Sequence, residues 1–462
     1  MNLIVIVCDT LRRDFLGCYG NPWVKTPSLD ALSASGVTFD RCYVGSFPTV
    51  PMRHDLMCSN YVFHTTGWAP IAPGNTPIQS RLRAAGYVTA FITDHQQLAS
   101  PGMNYHQGFD AVQWLRGFIP DPYITEPIEY EPPCDLAKLR APENWLDKFY
   151  RNISVRRYEE DWPSPQTMSA AMRWLERNYK HEKFLLYVDT FDVHEPWLPP
   201  KWYTEMYDPG YEGEQVIYPR YDFAGYLTEA ELHHARALYA GTVTMMDRWI
   251  GRLVERVEDL GIAEDTVIAF ISDHGWYHGE HGYIGKHTVL DRDQGWQFYD
   301  EVARIPLLMR APNLQRGVRS NLLMQPVDVG PTLMDIIGLE PPEEVHGRSA
   351  LPALRGKGDP PREVAVTARD LRKAPGYRTY SAIHDGTWTL MHAEEAAEPE
   401  LHNVVQDPKQ ERNVIAENLP VAEQLHAKYL AYLARIGATE EQVENRRPLG
   451  PAEGDSHPAW AG

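Results

Sequence analysis

The chain is poor in cysteine and in long apolar runs, and both shortages exclude whole classes of protein. Its 462 residues include five dispersed cysteines with no Cys-x-x-Cys pair, so neither a disulfide framework nor a zinc ribbon is indicated. Nowhere does an uncharged apolar run reach the roughly eighteen residues that a membrane-spanning helix needs. The apolar start at residues 1–7 lacks a basic leader and is too short for a signal peptide. We therefore expect a soluble, cytoplasmic protein.

Positive charge is also scarce. Lysine and arginine number 44 against 63 aspartates and glutamates, which gives a net charge of −19. A general binder of nucleic acid or of an anionic membrane needs the opposite balance, so neither partner is expected. An anionic substrate must instead be met by a local cationic pocket. The partners we expect are a small anionic ester and further copies of the chain in a homo-oligomer.

Apolar, strand-like runs alternate with helix signals along most of the chain. Runs at 1–7, 87–93, 183–189 and 266–272 alternate with helix signals at 26–36, 76–86, 165–179 and 228–260. This order predicts an α/β fold with a doubly wound, largely parallel sheet flanked by helices. Ligands bind beyond the carboxyl ends of such strands. Asp9, Asp189 and Asp273 lie at those ends and mark the expected site.

Two regions depart from this alternation. Residues 117–165 are rich in proline, charge and aromatic side chains, which indicates an excursion that serves either as a lid or as an oligomer contact. Short strands at 380–384 and 388–392 and a helix over 419–436 predict a smaller antiparallel sheet with a packed helix. We therefore divide the chain into a catalytic domain, 1–346, and a C-terminal α+β subdomain, 347–462.

Three short stretches carry residues suited to catalysis. Asp9 follows the first strand, and Asp273 and His274 follow the strand at 266–272. Thr49 precedes Arg53 by four residues, and on a helix this spacing places both on one face. Carboxylates, an imidazole and a hydroxyl suit a hard or borderline metal, and a guanidinium holds anionic oxygens. The combination suits attack by a hydroxyl at a tetrahedral oxyanion.

The order and spacing of several motifs resemble the sulfatase family of the alkaline phosphatase superfamily. The segments that carry the resemblance are 9–20, 26–39, 272–275, 279–282, 328–333 and 400–413. The resemblance implies one divalent metal ion per chain, bound by Asp9, Thr49, Asp273 and His274. Manganese and zinc suit these ligands best, with magnesium and calcium as alternatives. His278 and His281 are candidates for a second metal, but we favour one.

The resemblance also implies roles for other residues. Arg53 and Lys286 would hold the anionic oxygens, and His194 would protonate the leaving group. The family's Gly-Lys-x-His segment is missing, and residues 91–96 stand in its place. Contacts with the substrate are expected from four residues: Thr10, Thr93, His95 and His287.

One departure from the family pattern decides the expected reaction. Sulfatases carry Cys-x-Pro-Ser-Arg, or serine in place of the cysteine, and oxidise the first residue to formylglycine. This chain carries Thr49-Val50-Pro51-Met52-Arg53, and threonine is not a substrate for that oxidation. Threonine nucleophiles in the superfamily are typical of nucleotide phosphodiesterases and phosphoethanolamine transferases, and the latter need a membrane anchor that this chain lacks.

The chain is therefore closest in character to phosphonate monoester hydrolases and phosphodiesterases. We predict a metal-dependent hydrolase of phosphodiesters or phosphonate monoesters that works through a covalent Thr49 intermediate. Two alternatives stay open. One is an arylsulfatase-like hydrolase of sulfuric esters, and the other is an anion-binding pseudoenzyme with little turnover.

Overall fold

The computed structural model describes residues 1–119, 121–286, 295–372, 380–393 and 398–449. In chain order its strands are β1 (Asn2–Cys8), β2 (Val37–Cys42), β3 (Val88–Thr93), β4 (Ala111–Trp114), β5 (Phe184–Thr190), β6 (Asp222–Phe223), β7 (Thr266–Ser272), β8 (Tyr277–His278), β9 (Tyr283–Gly285), β10 (Leu307–Arg310), β11 (Val318–Met324), β12 (Ala365–Ala368), β13 (Tyr380–His384), β14 (Trp388–Ala393) and β15 (Glu400–Asn403). Its helices are α1 (Pro27–Ala34), α2 (Thr49–Cys58), α3 (Ile78–Ala84), α4 (Gln96–Ala99), α5 (Leu146–Ile153), α6 (Pro163–Asn178), α7 (Lys201–Thr204), α8 (Glu229–Asp259), α9 (Asp300–Ala303), α10 (Pro326–Ile336), α11 (Leu351–Leu354), α12 (Leu419–Arg435) and α13 (Glu440–Glu444).

The main sheet has eight strands in the order β11-β2-β10-β7-β1-β5-β3-β4. Strands β7, β1, β5, β3 and β4 run parallel to one another. Strand β10 is antiparallel to both β7 and β2. Helix α6 packs on β5, and α8 packs on α6. The predicted doubly wound, largely parallel α/β fold is confirmed.

Local sequence explains the central elements. Strands β1, β5 and β7 are buried along their whole length, and their nearly continuous apolar sequence is typical of parallel strands covered on both faces. Helix α8 begins with a capping box, in which Thr228 N donates to Glu231 Oε2 at 2.9 Å and Glu231 N donates to Thr228 Oγ1 at 3.2 Å. Just beyond its end, Gly261 has a φ of +69°, a conformation that glycine adopts without a steric penalty. Within the described ranges, no helix has both the length and the apolar character needed to cross a membrane.

The chain forms two compact units. The first comprises residues 1–40, 70–285 and 306–320, and the second comprises 41–69, 286–305 and 321–462. In the second unit, strands β12 to β15 form an antiparallel sheet, and apolar side chains of α12 such as Leu425, Tyr429 and Leu433 pack in the same core as Ile383 and Leu390 of the sheet. The predicted small antiparallel sheet with a helix is thereby confirmed. The division at residue 346 stays a prediction.

The proline-rich excursion has its own ordered structure. Arg116 forms a bidentate ion pair with Asp121, whose backbone oxygen accepts a hydrogen bond from Asn152 Nδ2 at 2.9 Å. Trp145 Nε1 donates to the backbone oxygen of Arg140 at 2.7 Å. The Asn152 bond holds helix α5 against the segment that follows β4. The role of the excursion, lid or oligomer contact, stays a prediction.

Candidate active site

Two neighbouring parallel strands bring the predicted metal ligands together. In the register of β1 and β7, Cys8 pairs with Ser272, so the next residue of each strand leaves the sheet at the same edge. Asp273 N donates to Cys8 O at 3.2 Å, which fixes this arrangement. One ligand atom each of Asp9, Asp273 and His274 lies within 4.8 Å of the other two, and all three residues are buried. The sequence prediction that these side chains converge agrees with the structure.

Backbone contacts orient the ligand atoms. Asp273 Oδ1 accepts hydrogen bonds from Thr10 N at 2.8 Å and from His274 N at 2.7 Å. His274 Nδ1 lies 3.0 Å from the backbone oxygen of Gly275, and because a carbonyl only accepts, the ring proton belongs on Nδ1. Nε2 is then the nitrogen that offers a lone pair, 3.6 Å from Asp273 Oδ2. Two carboxylates and an imidazole in this arrangement fit a divalent metal ion with hard or borderline character.

The turn after β1 is held in an uncommon conformation. Thr10 has a φ of +60°, in the left-handed region that threonine rarely adopts. Its hydroxyl donates to Asp9 Oδ1 at 2.6 Å. The buried Tyr239 hydroxyl donates to Thr10 O and accepts from Arg12 N, both at 2.8 Å. Thr10, predicted to contact substrate, therefore orients a metal ligand, and the contact with substrate stays a prediction.

The end of β3 adds two predicted residues to this group. His95 Nε2 lies 3.4 Å from Asp9 Oδ2, and Thr93 Oγ1 accepts a hydrogen bond from His95 N at 2.9 Å. The ring of Phe191 lies between two histidines, with its centroid 4.4 Å from that of His95 and 4.1 Å from that of His194. The first unit thus gathers both histidines beside the metal ligands. Their contacts with substrate stay predictions.

The predicted general acid has a defined tautomer. His194 Nδ1 lies 2.6 Å from the backbone oxygen of Glu195, so Nδ1 carries a proton and Nε2 is the nitrogen available for proton transfer. The histidine is buried, and its ring stacks on Phe191 with an interplanar angle of 19°. The ring therefore has one defined orientation, as a proton donor requires.

The predicted nucleophile and its arginine lie in the second unit. Thr49 is the first residue of α2, and Arg53 follows one turn later. Arg53 Nη1 donates to Thr49 O at 3.1 Å, and both side chains are buried. Asp55 accepts hydrogen bonds from Ser46 N at 2.6 Å and from Ser46 Oγ at 2.7 Å, which fixes the chain before the helix. Burial raises the pKa of Asp55 well above its usual value. The predicted spacing on one helix is present.

Three further predicted residues have different outcomes. Lys286 is buried in the second unit, and its predicted contact with anionic oxygens stays a prediction. His287 lies outside the described residues. His278, a candidate ligand of a second metal, is enclosed by aromatic rings including Trp197 and Tyr239, and burial lowers its pKa well below the usual value. Within the described part of the chain, His278 does not belong to the group that gathers metal-ligating atoms.

Two residues that hold the site were missed by sequence reasoning. Ser272 Oγ accepts a hydrogen bond from Leu11 N at 3.0 Å and so ties the β1 turn to the end of β7. The Tyr239 hydroxyl ties the same turn to α8, as described above. Ser272 lies in a recognisable motif, so its hydroxyl was a signal that could have been used. Tyr239 lies inside a long apolar helix pattern, where nothing local distinguishes it from a core residue.

Comparison with known proteins gives consistent matches along the chain. The sulfatase family model matches residues 1–339, and the model of the C-terminal part of N-sulphoglucosamine sulphohydrolase matches residues 279–435. An N-acetylglucosamine-6-O-sulfatase of Bacteroides thetaiotaomicron is 25% identical, with 90% of this chain and 83% of that protein covered. The multifunctional alkaline phosphatase superfamily protein PehA of Trinickia caryophylli is 26% identical, with 76% and 77% covered.

The solved structures agree on the fold. The phosphonate monoester hydrolase of Agrobacterium radiobacter aligns with a TM-score of 0.73 at 22% identity, over 94% of this chain and 95% of that one. A second solved structure, in complex with its substrate D-glucosamine-2-N,6-O-disulfate, aligns with a TM-score of 0.70 at 19% identity, over 97% of this chain and 99% of that one. Because the sulfatase model covers most of the sequence, the chain belongs to the sulfatase family of the alkaline phosphatase superfamily.

Proposed function

We propose that this member of the sulfatase family is a metal-dependent hydrolase of phosphodiesters or phosphonate monoesters, with Thr49 as its nucleophile. The observation that carries the proposal is the residue at position 49. A threonine hydroxyl begins a buried helix, with an arginine one turn later. The motif Thr49-Val50-Pro51-Met52-Arg53 resembles the one in which sulfatases carry the residue that becomes formylglycine. The start of a helix also favours an alkoxide, because the positive end of the helix dipole lies there.

The phosphorus preference follows from how a covalent intermediate is released. A formylglycine hydrate expels sulfate by collapsing to the aldehyde, whereas an alkoxide of threonine has no such route. The intermediate on Thr49 must be an ordinary ester that water cleaves. Phosphoryl and phosphonyl esters of threonine suit this route, which supports phosphorus substrates over sulfate esters.

The proposed reaction has two displacements. Thr49 gives its hydroxyl proton to solvent as Oγ forms a bond to phosphorus. The bond from phosphorus to the leaving oxygen breaks, and that oxygen takes the Nε2 proton of a doubly protonated His194. Water then attacks phosphorus and gives a proton to Nε2 of His194, the bond to Thr49 Oγ breaks, and Oγ takes a proton from solvent, which restores the hydroxyl. Arg53 and Lys286 would balance the charge of the anionic oxygens.

The metal site supports the same proposal. Asp9, Asp273 and His274 fit a divalent ion, as their ligand atoms show. When bound, such an ion acts as a Lewis acid and lowers the pKa of a hydroxyl group. The hydrogen bonds to Asp273 Oδ1 and the Nδ1 proton of His274 hold the ligand set in one geometry.

Hydrolysis of sulfate esters is the second candidate function. The curated relatives favour it, since the proteins similar to this chain include an N-acetylglucosamine-6-O-sulfatase and an arylsulfatase of Clostridium perfringens. The phosphonate monoester hydrolase of similar fold favours the first candidate. Position 49 separates the two, because a sulfatase of the usual type needs formylglycine there.

A substrate panel tests the proposal. Purified full-length protein with added manganese or zinc is assayed against an aryl phosphodiester, an aryl phosphonate monoester, an aryl phosphomonoester and an aryl sulfate. We expect kcat/KM for the phosphodiester or the phosphonate to exceed that for the sulfate by at least about tenfold, which corresponds to about 1.4 kcal/mol in the barrier.

Two controls make the panel decisive. Thr49→Ala should abolish turnover, while Thr242→Ala, which removes an equally buried helical threonine hydroxyl, should keep it. Faster turnover of the sulfate ester would replace the proposal with the second candidate. Full metal occupancy without turnover of any ester would leave the pseudoenzyme interpretation.

A further inference from the structure

A cavity outside the candidate active site lies in the first unit. Its volume is about 330 Å³, and it lies at the carboxyl ends of β3 and β4, where parallel sheets place ligands. One side consists of Trp114, the last residue of β4, and of residues that follow β3 or β4, namely Asp94, Arg116 and Phe118. The other side comes from the excursion and the start of α6, and includes Arg156 and Gln166.

Arg156 is the unusual group in this cavity. It is partly exposed, its guanidinium lies over the Trp162 ring at 5.2 Å, and burial lowers its pKa to about 10. At neutral pH the guanidinium therefore stays charged. Within the part of the chain that the structure describes, the guanidinium donates no hydrogen bond and has no carboxylate within 4.0 Å. An arginine carries five N–H donors, and at Arg156 none of them is taken up by an acceptor of the described chain.

The other charged groups of the cavity are already engaged. Arg116 forms its bidentate pair with Asp121, and Asp161 accepts hydrogen bonds from Arg157 N at 2.7 Å and Tyr158 N at 2.8 Å. Asp94 accepts from Phe191 N at 2.7 Å and from Thr190 Oγ1 at 3.2 Å.

The three carboxyl groups near Arg156, those of Asp94, Asp161 and Asp192, do not form ion pairs with it. Burial, and then the nearby Asp192, raise the pKa of Asp94 to about 8, so this group is mostly protonated at neutral pH. Asp192 accepts a hydrogen bond from Ser164 N at 2.9 Å. Asp192 and Asp161 act on Arg156 through space only, at more than the 4.0 Å of an ion pair. The guanidinium donors are therefore available to an acceptor that enters the cavity.

We propose that this cavity binds a small oxyanion, a carboxylate, sulfate or phosphate group, on the guanidinium of Arg156. The two-pronged guanidinium matches the paired oxygens of such groups. The indole of Trp114 and the ring of Phe118 offer an apolar wall on which a flat, organic remainder of the ligand would pack.

The site is separate from the candidate active site. Phe118 packs edge to face on Phe191, with ring centroids 4.5 Å apart, and His95 also packs edge to face with Phe191, at 4.4 Å. Neither the three metal ligands nor Thr49 is among the residues that line the cavity. The oxyanion site therefore depends neither on the metal ligands nor on Thr49.

Calorimetric titration of the full-length protein tests the proposal, with inorganic sulfate and benzoate as separate probes. Arg156→Gln should weaken binding of the probe at this site by at least about tenfold, as expected for loss of a charged hydrogen-bond donor. Arg157→Gln is the matched control, because this neighbouring arginine is exposed and donates only to the backbone oxygens of Ser154 and Arg156. Tighter binding of benzoate than of sulfate would identify a ligand with a flat apolar body, and the reverse would identify an inorganic anion.

A second variant keeps the test valid if the first is unstable. Arg156→Lys retains the positive charge near Asp192 and Asp161 but replaces the planar guanidinium by a single ammonium group. The fold should therefore persist, and sulfate should bind to this variant more weakly than to the wild type. Thermal unfolding of each variant reports whether it is folded. Wild-type affinity for both probes in the two Arg156 variants, or no binding of either probe by the wild-type protein, would overturn the proposal.

Discussion

Replacement of Asp273 by asparagine is the change that separates metal binding from folding. The wild-type carboxylate has two tasks, since Oδ1 accepts hydrogen bonds from Thr10 N and His274 N, and Oδ2 lies 3.6 Å from His274 Nε2. An asparagine side chain of the same shape keeps an oxygen for the two N–H groups. It removes the negative charge and puts an amide group, which binds metal poorly through nitrogen, beside the other ligands.

The magnitudes of the two effects differ. A hydrogen bond to a charged acceptor contributes about 1.5–3 kcal/mol and one to a neutral acceptor about 0.5–1.5 kcal/mol, so two weakened bonds cost about 2 kcal/mol of stability. Loss of a residue that merely supports a metal ligand already weakens metal binding by about 10–100-fold. Loss of a ligand should exceed this, so we expect at least about 100-fold weaker binding, or about 2.7 kcal/mol.

Metal content and thermal unfolding are measured on the same samples. After equilibration with one equivalent of manganese or zinc and gel filtration, Asp273→Asn should retain almost no metal and should not be stabilised by added metal. The matched control is Asp94→Asn, a buried aspartate at the end of another strand of the same sheet, β3, that also accepts a backbone N–H. This variant should keep its metal. Full occupancy in Asp273→Asn would refute the assignment of Asp273 as a ligand.

Three more predictions follow from the site and its surroundings. Thr49→Ala should bind metal but lose turnover, while Thr49→Ser should keep part of it, as steady-state kinetics and elemental analysis would show; an active alanine variant would contradict the nucleophile. Arg53→Ala should lower kcat/KM by an amount that corresponds to about 2–4 kcal/mol of lost transition-state stabilisation, and Arg53→Lys should lower it less. Wild-type kcat/KM in both variants would contradict this role of Arg53. Burial and Asp192 raise the pKa of Asp94 to about 8, so the folded chain keeps a proton that the unfolded chain releases above about pH 4. The contribution of Asp94 to stability should therefore fall by on the order of a few kcal/mol between about pH 4 and 8. Denaturant titrations of Asp94→Asn should lack this contribution, and a pH profile identical to that of the wild type would contradict it.

The strand pattern predicted much of the fold because burial on both faces leaves a strong signal in sequence. The predicted strand over 266–272 coincides with β7, and the predicted helix over 228–260 differs from α8 by one residue at each end. The predicted helix over 165–179 begins two residues earlier in the structure, because Pro163 is compatible with the first turn of a helix.

The site was predicted only where it depends on strand ends. Asp9, Asp273 and His274 follow adjacent parallel strands, so strand order alone brings them together. Asp189 obeys the same rule but lies one residue before the end of β5, paired with Val7 and Thr93, and it does not belong to the metal-ligating group of the described residues. A shift of one residue reverses the direction of a strand side chain, and the end of a strand cannot be read from sequence to that accuracy.

Contacts between distant elements could not be predicted. The Tyr239 hydroxyl bonds to the backbone of Thr10 and Arg12 across more than two hundred residues, and only the packing of α8 creates this pair. The cavity beside Arg156 is a further case, since the excursion gave no indication of which arginine would lack an ion pair. Arg116 and Arg156 look alike in sequence, but only Arg116 has a carboxylate at ion-pair distance among the described residues.

The central claim, a covalent ester on the Thr49 hydroxyl, is tested most directly by trapping it. The protein is mixed with an aryl phosphonate monoester or an aryl phosphodiester in the presence of manganese, quenched in acid within the first turnovers, digested, and examined by mass spectrometry. We predict a phosphonylated or phosphorylated peptide whose modified residue is Thr49, absent from Thr49→Ala, with no formylglycine at that position. Rapid turnover with an unmodified Thr49 peptide, or with the modification on another residue, would contradict the account.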